Sequence, residues 1–204
     1  MAAYIIVAVI AYLIGSISFS VIISKKVAGF DVREKGSKNA GATNVLRTVG
    51  KKAGAMTLLC DLLKGVVAML VAMLIGNIAK NSDATLIMQI AGIAVVLGHT
   101  FPLFFGFKGG KGVATTLGVL LVVNWQIALI ALVFAIVVIA ITKMVSLGSI
   151  SAAILVPILA LFLQSNYFIF ALILALFIVY NHRTNIKRIA EGKENKLGSK
   201  KENK

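Results

Sequence analysis

"VATTLGVLLVVNWQIALIALVFAIVVIAIT", residues 113–142, decides how many times this chain crosses a bilayer. Read as one helix, it is a single crossing. Broken at "NWQ", Asn124–Gln126, it becomes two. Trp125 then sits at a membrane interface, where its amphipathic ring is favoured. The rest of the chain settles which reading keeps the charges consistent. Its 204 residues are 59% hydrophobic with mean hydropathy +0.98, and only two are proline. Such averages imply an all-α integral membrane protein, one polytopic domain over 1–204.

The other apolar segments are 2–24, 53–78, 84–105, 145–163 and 167–181. Three basic, polar segments separate or end them: 25–52, 106–112 and 182–204, with Lys143 alone at a further break. Lys and Arg mark the cytoplasmic side. If the three share that face, an even number of crossings separates each pair. That requires 113–142 to split. The expected result is seven transmembrane helices, N-terminus outside and C-terminus cytoplasmic, with only Lys80 among the basic residues facing outward beside Asp83. The fourth crossing, 113–123, is short: at about 1.5 Å per residue it cannot span about 30 Å. It is a short helix after the Gly-rich loop, or it begins in a water-filled cavity. The alternative is one long helix and a re-entrant segment elsewhere, which needs protein or water around it.

The formal net charge is +14. In this setting it reads as topology rather than nucleic-acid binding, and some of these cations are left to bind anions. Cys60 is the sole cysteine, with no disulfide partner and no metal-ligand spacing. The opening "MAAYIIVAVIAYLIGSISFSVIISKK" has no basic leader and reads as a first membrane helix, not a cleaved signal. Residues from about 192 read as a flexible cytoplasmic tail.

"EKGSKNAGATNVLRTVGKKAG", residues 34–54, is dense in hydroxyls and amides. It suits a linker, but Ser37, Asn39, Thr43 and Asn44 also suit a polyol, and Arg47 is a planar fork for phosphate. "GFKGGKG", 106–112, holds four glycines in seven positions. It is not a nucleotide P-loop: Gly106 to Gly110 is one residue short, and Gly112 stands where Ser or Thr would hold magnesium. Glycine amides and Lys108 and Lys111 at the start of a helix still form an anion site. Ordinary charge on a tight turn would not need so many glycines. In "NHRTNIKRIAEGKENKLG", 181–198, His182 and Asn185 are expected on one face of a continuing last helix. Asp61 and Lys64 in "CDLLKG" form an i,i+3 pair at membrane depth, read as structural, with Lys64 neutralising Asp61.

These three polar motifs, in this order between apolar segments, resemble the cytoplasmic motifs of the acyl-phosphate:glycerol-3-phosphate acyltransferases, the PlsY family. "DLLKG" resembles a further element, and the likeness runs to about residue 198. Leu103 in "FPLF" is a small departure, where Val is commoner. The resemblance implies a seven-helix enzyme of the bacterial inner membrane, active on its cytoplasmic face. It would transfer a fatty acyl group from acyl-phosphate to the 1-hydroxyl of glycerol 3-phosphate, giving lysophosphatidic acid and inorganic phosphate in phospholipid synthesis. No metal or organic cofactor is implied. Ser37, Arg47, Lys108, His182 and Asn185 would bind glycerol 3-phosphate, with Ser37, Lys108, His182 and Asn185 catalytic. Gly109, Gly110, Lys111 and Gly112 would hold the donor phosphate. Asn39, Thr43, Asn44, Asp61, Lys64, His99 and Asn181 would support them. Substrates and bilayer are the expected partners, and the soluble enzyme that forms acyl-phosphate is a candidate one.

Neither His99 nor His182 has a carboxylate five positions on, so a His–carboxylate dyad is not indicated. Direct acyl transfer follows, with His182 or a donor phosphate oxygen as base. A transporter for a phosphorylated metabolite is the rival class. It predicts two related halves, and no repeat relates 1–105 to 106–204. A non-catalytic lipid-binding or scaffold protein would leave three phosphate-friendly motifs unexplained.

Overall fold

A computed structural model describes residues 1–79 and 82–198. Among these residues are ten α-helices, three 3-10 turns and no strand. Lys80, expected on the outer side, lies outside the described residues. Where the composition suggests one domain, the contacts divide the chain into two compact units, Met1–Val123 and a second beginning at Asn124.

In the first unit, the leading apolar segment is not one helix. Helix α1 (Ala2–Gly15) stops, and α2 (Phe19–Ala28) starts after a break at Ser16–Ser18. Polar small residues at the break compete for backbone hydrogen bonds, which disfavours helix interiors. A helix break leaves carbonyls without their intrahelical donors. They are met by α4 (Lys51–Ile78): Lys64 Nζ donates to Gly15 O at 2.9 Å and Ile17 O at 2.8 Å. Helix α5 (Ala84–Thr100) packs on α1 at two glycines. A Cβ at Gly15 would collide with the Val95 carbonyl, and one at Gly98 with the Tyr12 carbonyl. Asp83 caps α5 by accepting from the amides of Thr85 and Leu86. Between α2 and α4 lie the 3-10 turn Val32–Glu34 and the short helix α3 (Ala42–Thr48).

The long stretch 113–142 does break. Helix α6 (Val113–Val123) ends, and α7 (Trp125–Thr142) begins with Asn124 as its N-cap, accepting from Gln126 N and Ile127 N. Helix α6 is held to α4 by backbone-close contact. A Cβ at Gly65 would strike the Thr115 carbonyl, and one at Gly118 the Leu62 carbonyl. Small residues let membrane helices approach this closely and replace the missing hydrophobic drive with packing. Thr115 Oγ1 also donates to Asp61 O at 3.0 Å.

The second unit stacks α7, α8 (Val145–Leu163) and α9 (Phe168–Asn181) in sequence order. Asn124 Nδ2 donates to Gln164 Oε1 at 2.8 Å, tying the start of α7 to the end of α8. The last helix does not simply continue. It bends by 59° at His182 into α10 (Arg183–Ala190). His182 stands at the bend as the N-cap of α10, and Asn185 lies in the first turn of that helix. Nor are residues just past 192 a loose tail: Glu194 is buried, and Leu197 N donates to Lys143 O at 2.7 Å.

Among the described residues, five helical stretches are long and apolar enough to cross a membrane: Ala2–Ala28, Lys51–Ile78, Ala84–Phe105, Trp125–Thr142 and Val145–Leu163. The bent pair Ser165–Asn181 and Arg183–Ala190 adds a sixth if taken as one span, and Val113–Val123 is a shorter apolar helix. The chain is thus a helical membrane protein.

Candidate active site

The first polar loop is built around one buried side chain. Asn44, on α3, accepts from Ser37 N at its Oδ1 and donates through Nδ2 to the carbonyls of Val32, Lys35 and Asn39. Its amide is consumed by the loop, so it organises the segment and does not offer itself to a polyol. Gly36 (φ 64°) curves over it, and a Cβ there would collide with Asn44 Oδ1. The same tether leaves the Ser37 side chain exposed, with its amide fixed. Arg47 is exposed on α3, four residues after Thr43 and on its face.

The Gly-rich loop folds back on the end of α5. Gly109 N donates to Thr100 O at 3.0 Å and Gly110 N to His99 O at 3.1 Å. Ala40 N donates to Gly109 O at 3.4 Å, joining the first polar loop to the second. The amides of Gly109 and Gly110 are therefore committed to the protein, contrary to their expected use as phosphate donors. What remains for an anion is the first turn of α6, whose N–H groups have no intrahelical acceptor. Their glycine character has a steric cause. A Cβ on Gly110 would meet the His99 ring at Nε2 and the Ala40 carbonyl, and one on Gly109 would meet the His99 carbonyl. Gly112 has φ 89°, which favours glycine, and opens α6. Lys108 is exposed and Lys111 half-buried on this loop.

Below the loop lies a buried charged cluster. His99 Nδ1 is 3.6 Å from Asp61 Oδ1, and Lys64 Nζ is 3.1 Å from the same oxygen. The cluster joins the helix break at one end to Gly110 at the other. Asp61, Lys64 and His99 are thus gathered in one buried cluster, and Lys64 also serves the break, which sequence reading missed.

In the second unit, His182 is buried, with Nδ1 2.8 Å from Ile178 O. That contact fixes the ring's orientation and, when Nδ1 carries the proton, makes Nε2 the basic nitrogen. Asn181, the last residue of α9, is half-buried and its Nδ2 has no hydrogen-bond partner among the described residues. Asn185 Nδ2 donates to Glu194 Oε1 at 2.7 Å, which Ser146 Oγ also reaches at 2.8 Å, while Arg188 Nε donates to Glu194 Oε2 at 2.8 Å. Glu194 was legible only as a charge in a tail; its partners come from α8 and α10.

Burial alone would raise the Glu194 pKa, but the hydrogen bonds from Arg188, Asn185 and Ser146 outweigh it and hold it below the ordinary 4.5. A carboxyl whose folded pKa lies below its unfolded one contributes stability that is full above the unfolded value. That stability disappears as pH falls through the folded value. Melting temperature should therefore drop as pH falls below about 4.5. Glu194→Gln should be less stable at neutral pH and lose less on acidification. Parallel melting curves for the two proteins would refute the role.

Apolar helices joined by basic loops, with buried polar clusters beside those loops, define a class: a polytopic helical membrane protein. The comparisons narrow it. The chain belongs to the glycerol-3-phosphate acyltransferase family, which it matches over residues 5–192. A glycerol-3-phosphate acyltransferase of Clostridioides difficile (strain 630) is 51% identical over 200 residues, covering 98% of each chain. One from Thermoanaerobacter sp. (strain X514) is 48% identical over 201 residues, covering 97% of this chain and 98% of the relative. A crystal structure of PlsY, an integral membrane glycerol 3-phosphate acyltransferase, in its glycerol 3-phosphate form superposes with TM-score 0.86 at 38% identity, covering 96% of both chains. The lysophosphatidic acid form gives 0.84 at 37%, covering 96% and 95%.

Proposed function

We propose that this protein acylates the 1-hydroxyl of glycerol 3-phosphate with acyl-phosphate as donor, releasing lysophosphatidic acid and inorganic phosphate. The carrying observation is the match of essentially the whole chain to the family, at 51% identity to one member. A transporter reading has no comparable support. The donor phosphate is assigned to Lys111 and the first turn of α6, with Gly109, Gly110 and Gly112 shaping the approach. Glycerol 3-phosphate is assigned to Ser37, Arg47, Lys108, His182 and Asn185. Two anions repel, and Lys108, Lys111 and Arg47 offset that repulsion.

The glycerol hydroxyl oxygen attacks the acyl carbon, forming the ester bond. The bond from that carbon to the phosphate oxygen breaks, and phosphate leaves with the electron pair. The hydroxyl proton passes to a donor phosphate oxygen. Acyl-phosphate is already activated, so positioning and charge stabilisation supply most of the catalysis. The topology we favour has seven crossings, with α6 as a short fourth one, the N-terminus outside and the polar motifs facing the bacterial cytoplasm. The break at Asn124 and the basic segments support it.

Purified protein in lipid should turn over labelled glycerol 3-phosphate with palmitoyl-phosphate and not with palmitoyl-CoA. Lys108→Ala should lower kcat/KM by about 100-fold or more, the scale of losing an electrostatic stabiliser. His182→Ala should retain activity within about tenfold if the donor phosphate is the base. Turnover with the CoA thioester alone would overturn the donor assignment.

A further inference from the structure

Arg33 lies outside every motif read for chemistry, yet its guanidinium joins the two polar loops of the first unit. Its Nε and Nη2 donate to Asp31 Oδ1 at 3.0 Å and Oδ2 at 2.8 Å, a two-pronged pair. The backbone N of Arg33 also donates to Asp31 Oδ1 at 3.0 Å, and Lys25 Nζ stands 3.6 Å from Oδ2. The remaining prong reaches across the chain: Nη1 donates to Phe105 O and, at 3.2 Å, to Lys108 O. Between those carbonyls the backbone is in an unusual state. Gly106 has φ 67° and Phe107 has φ 58°, the left-handed region that a residue with a Cβ adopts reluctantly. Such a conformation persists only where its surroundings over-determine it. Here the restraints are the Phe107 N to Pro102 O bond at 3.0 Å and the two bonds from Arg33.

We infer that Arg33, locked by Asp31, is a positioning residue that holds the 105–108 turn and so aims Lys108 at the anionic substrate. The inference rests on the assignment of Lys108 above. Asp31 completes the device. Its hydrogen bond from Arg33 holds its carboxyl below the ordinary range against the opposing effect of burial, so the pair stays charged in mildly acidic conditions. Arginine suits this place because a planar fork bonds a carboxylate and two carbonyls together. A lysine ammonium is a point charge on a flexible stem and cannot reproduce that geometry.

The test uses the full chain in lipid nanodiscs, as wild type and as Arg33→Gln, Arg33→Lys, Asp31→Asn and Lys108→Ala. Amide hydrogen exchange over 103–112 and steady-state kinetics with palmitoyl-phosphate are read together. In Arg33→Gln, exchange of the turn should rise by about tenfold or more, as expected for a locally freed segment, while α1 and α5 keep wild-type rates. The same variant should lose about 100-fold in kcat/KM, mostly in kcat, the scale set by a misplacement of about 1 Å. Arg33→Lys and Asp31→Asn should show the same pattern in smaller measure. Unchanged exchange in the turn would overturn the proposal. So would faster exchange with kcat/KM held within about threefold of wild type, since misplacement should cost far more. Full activity in Lys108→Ala would overturn the assignment of Lys108 and this proposal with it, and that one variant tells the two failures apart.

Discussion

Lys64→Met is expected to destabilise the protein by about 3–5 kcal/mol, the cost of removing one partner from a buried ion pair. Three oxygens lose the ammonium together. Asp61 Oδ1 stands 3.1 Å from Nζ, and the Gly15 and Ile17 carbonyls accept at 2.9 and 2.8 Å. The carbonyls belong to the break between α1 and α2, where the buried ammonium is their donor. Methionine fills a similar volume, so the loss is electrostatic and not a cavity. The double variant with Asp61→Asn should recover part of the loss, because it removes the uncompensated carboxylate. It should not recover all, because the two carbonyls remain unmet. Thermal unfolding in detergent measures both. A single variant within about 0.5 kcal/mol of wild type would place Lys64 among ordinary surface substitutions and refute the account.

Gly110→Ala should cost about 100-fold or more in kcat/KM. The new methyl would enter the His99 ring at Nε2 and stand 2.8 Å from Ala40 O. Neither neighbour can yield cheaply. The ring is buried, with Nδ1 3.6 Å from Asp61, and Ala40 is bonded through its amide to Gly109 O. The loop has to move instead, carrying Lys108 and Lys111 with it. Gly29→Asn provides the contrast. Gly29 has a left-handed φ of 72°, unlike Gly110, but a Cβ there meets nothing within 4 Å, and asparagine tolerates that conformation. It should keep its kinetics. Wild-type kcat/KM in Gly110→Ala would show that the loop's seating on His99 has no bearing on turnover.

Much of this was readable from the chain alone, and particular residues show where reading stops. The apolar runs, the break at Asn124 and the basic loops follow from local composition. A helix in lipid needs a continuous apolar stretch, and a charge needs water or a partner, wherever the neighbours are. The Asp61–Lys64 pair was legible for the same reason, as two opposite charges one helical turn apart. The break at Ser16–Ser18 was not, because its stability depends on Lys64, forty-nine positions from Gly15.

The polar loops divide in the same way. Residue types announced an anion site, since Gly, Lys and Arg in that density have few other uses. Which groups face the ligand and which serve the scaffold depends on acceptors that arrive from distant segments. Asn44 is spent on three carbonyls, the amides of Gly109 and Gly110 on His99 and Thr100, and Arg33 on Phe105 and Lys108. Glu194 becomes a buried hub only because Ser146 and Asn185 come within 3 Å of it. Hydrogen bonds act over about 3 Å and ignore sequence separation. Hydropathy and charge therefore determine the spans and the chemistry of the loops. Only the packed chain decides which polar atoms remain for substrate.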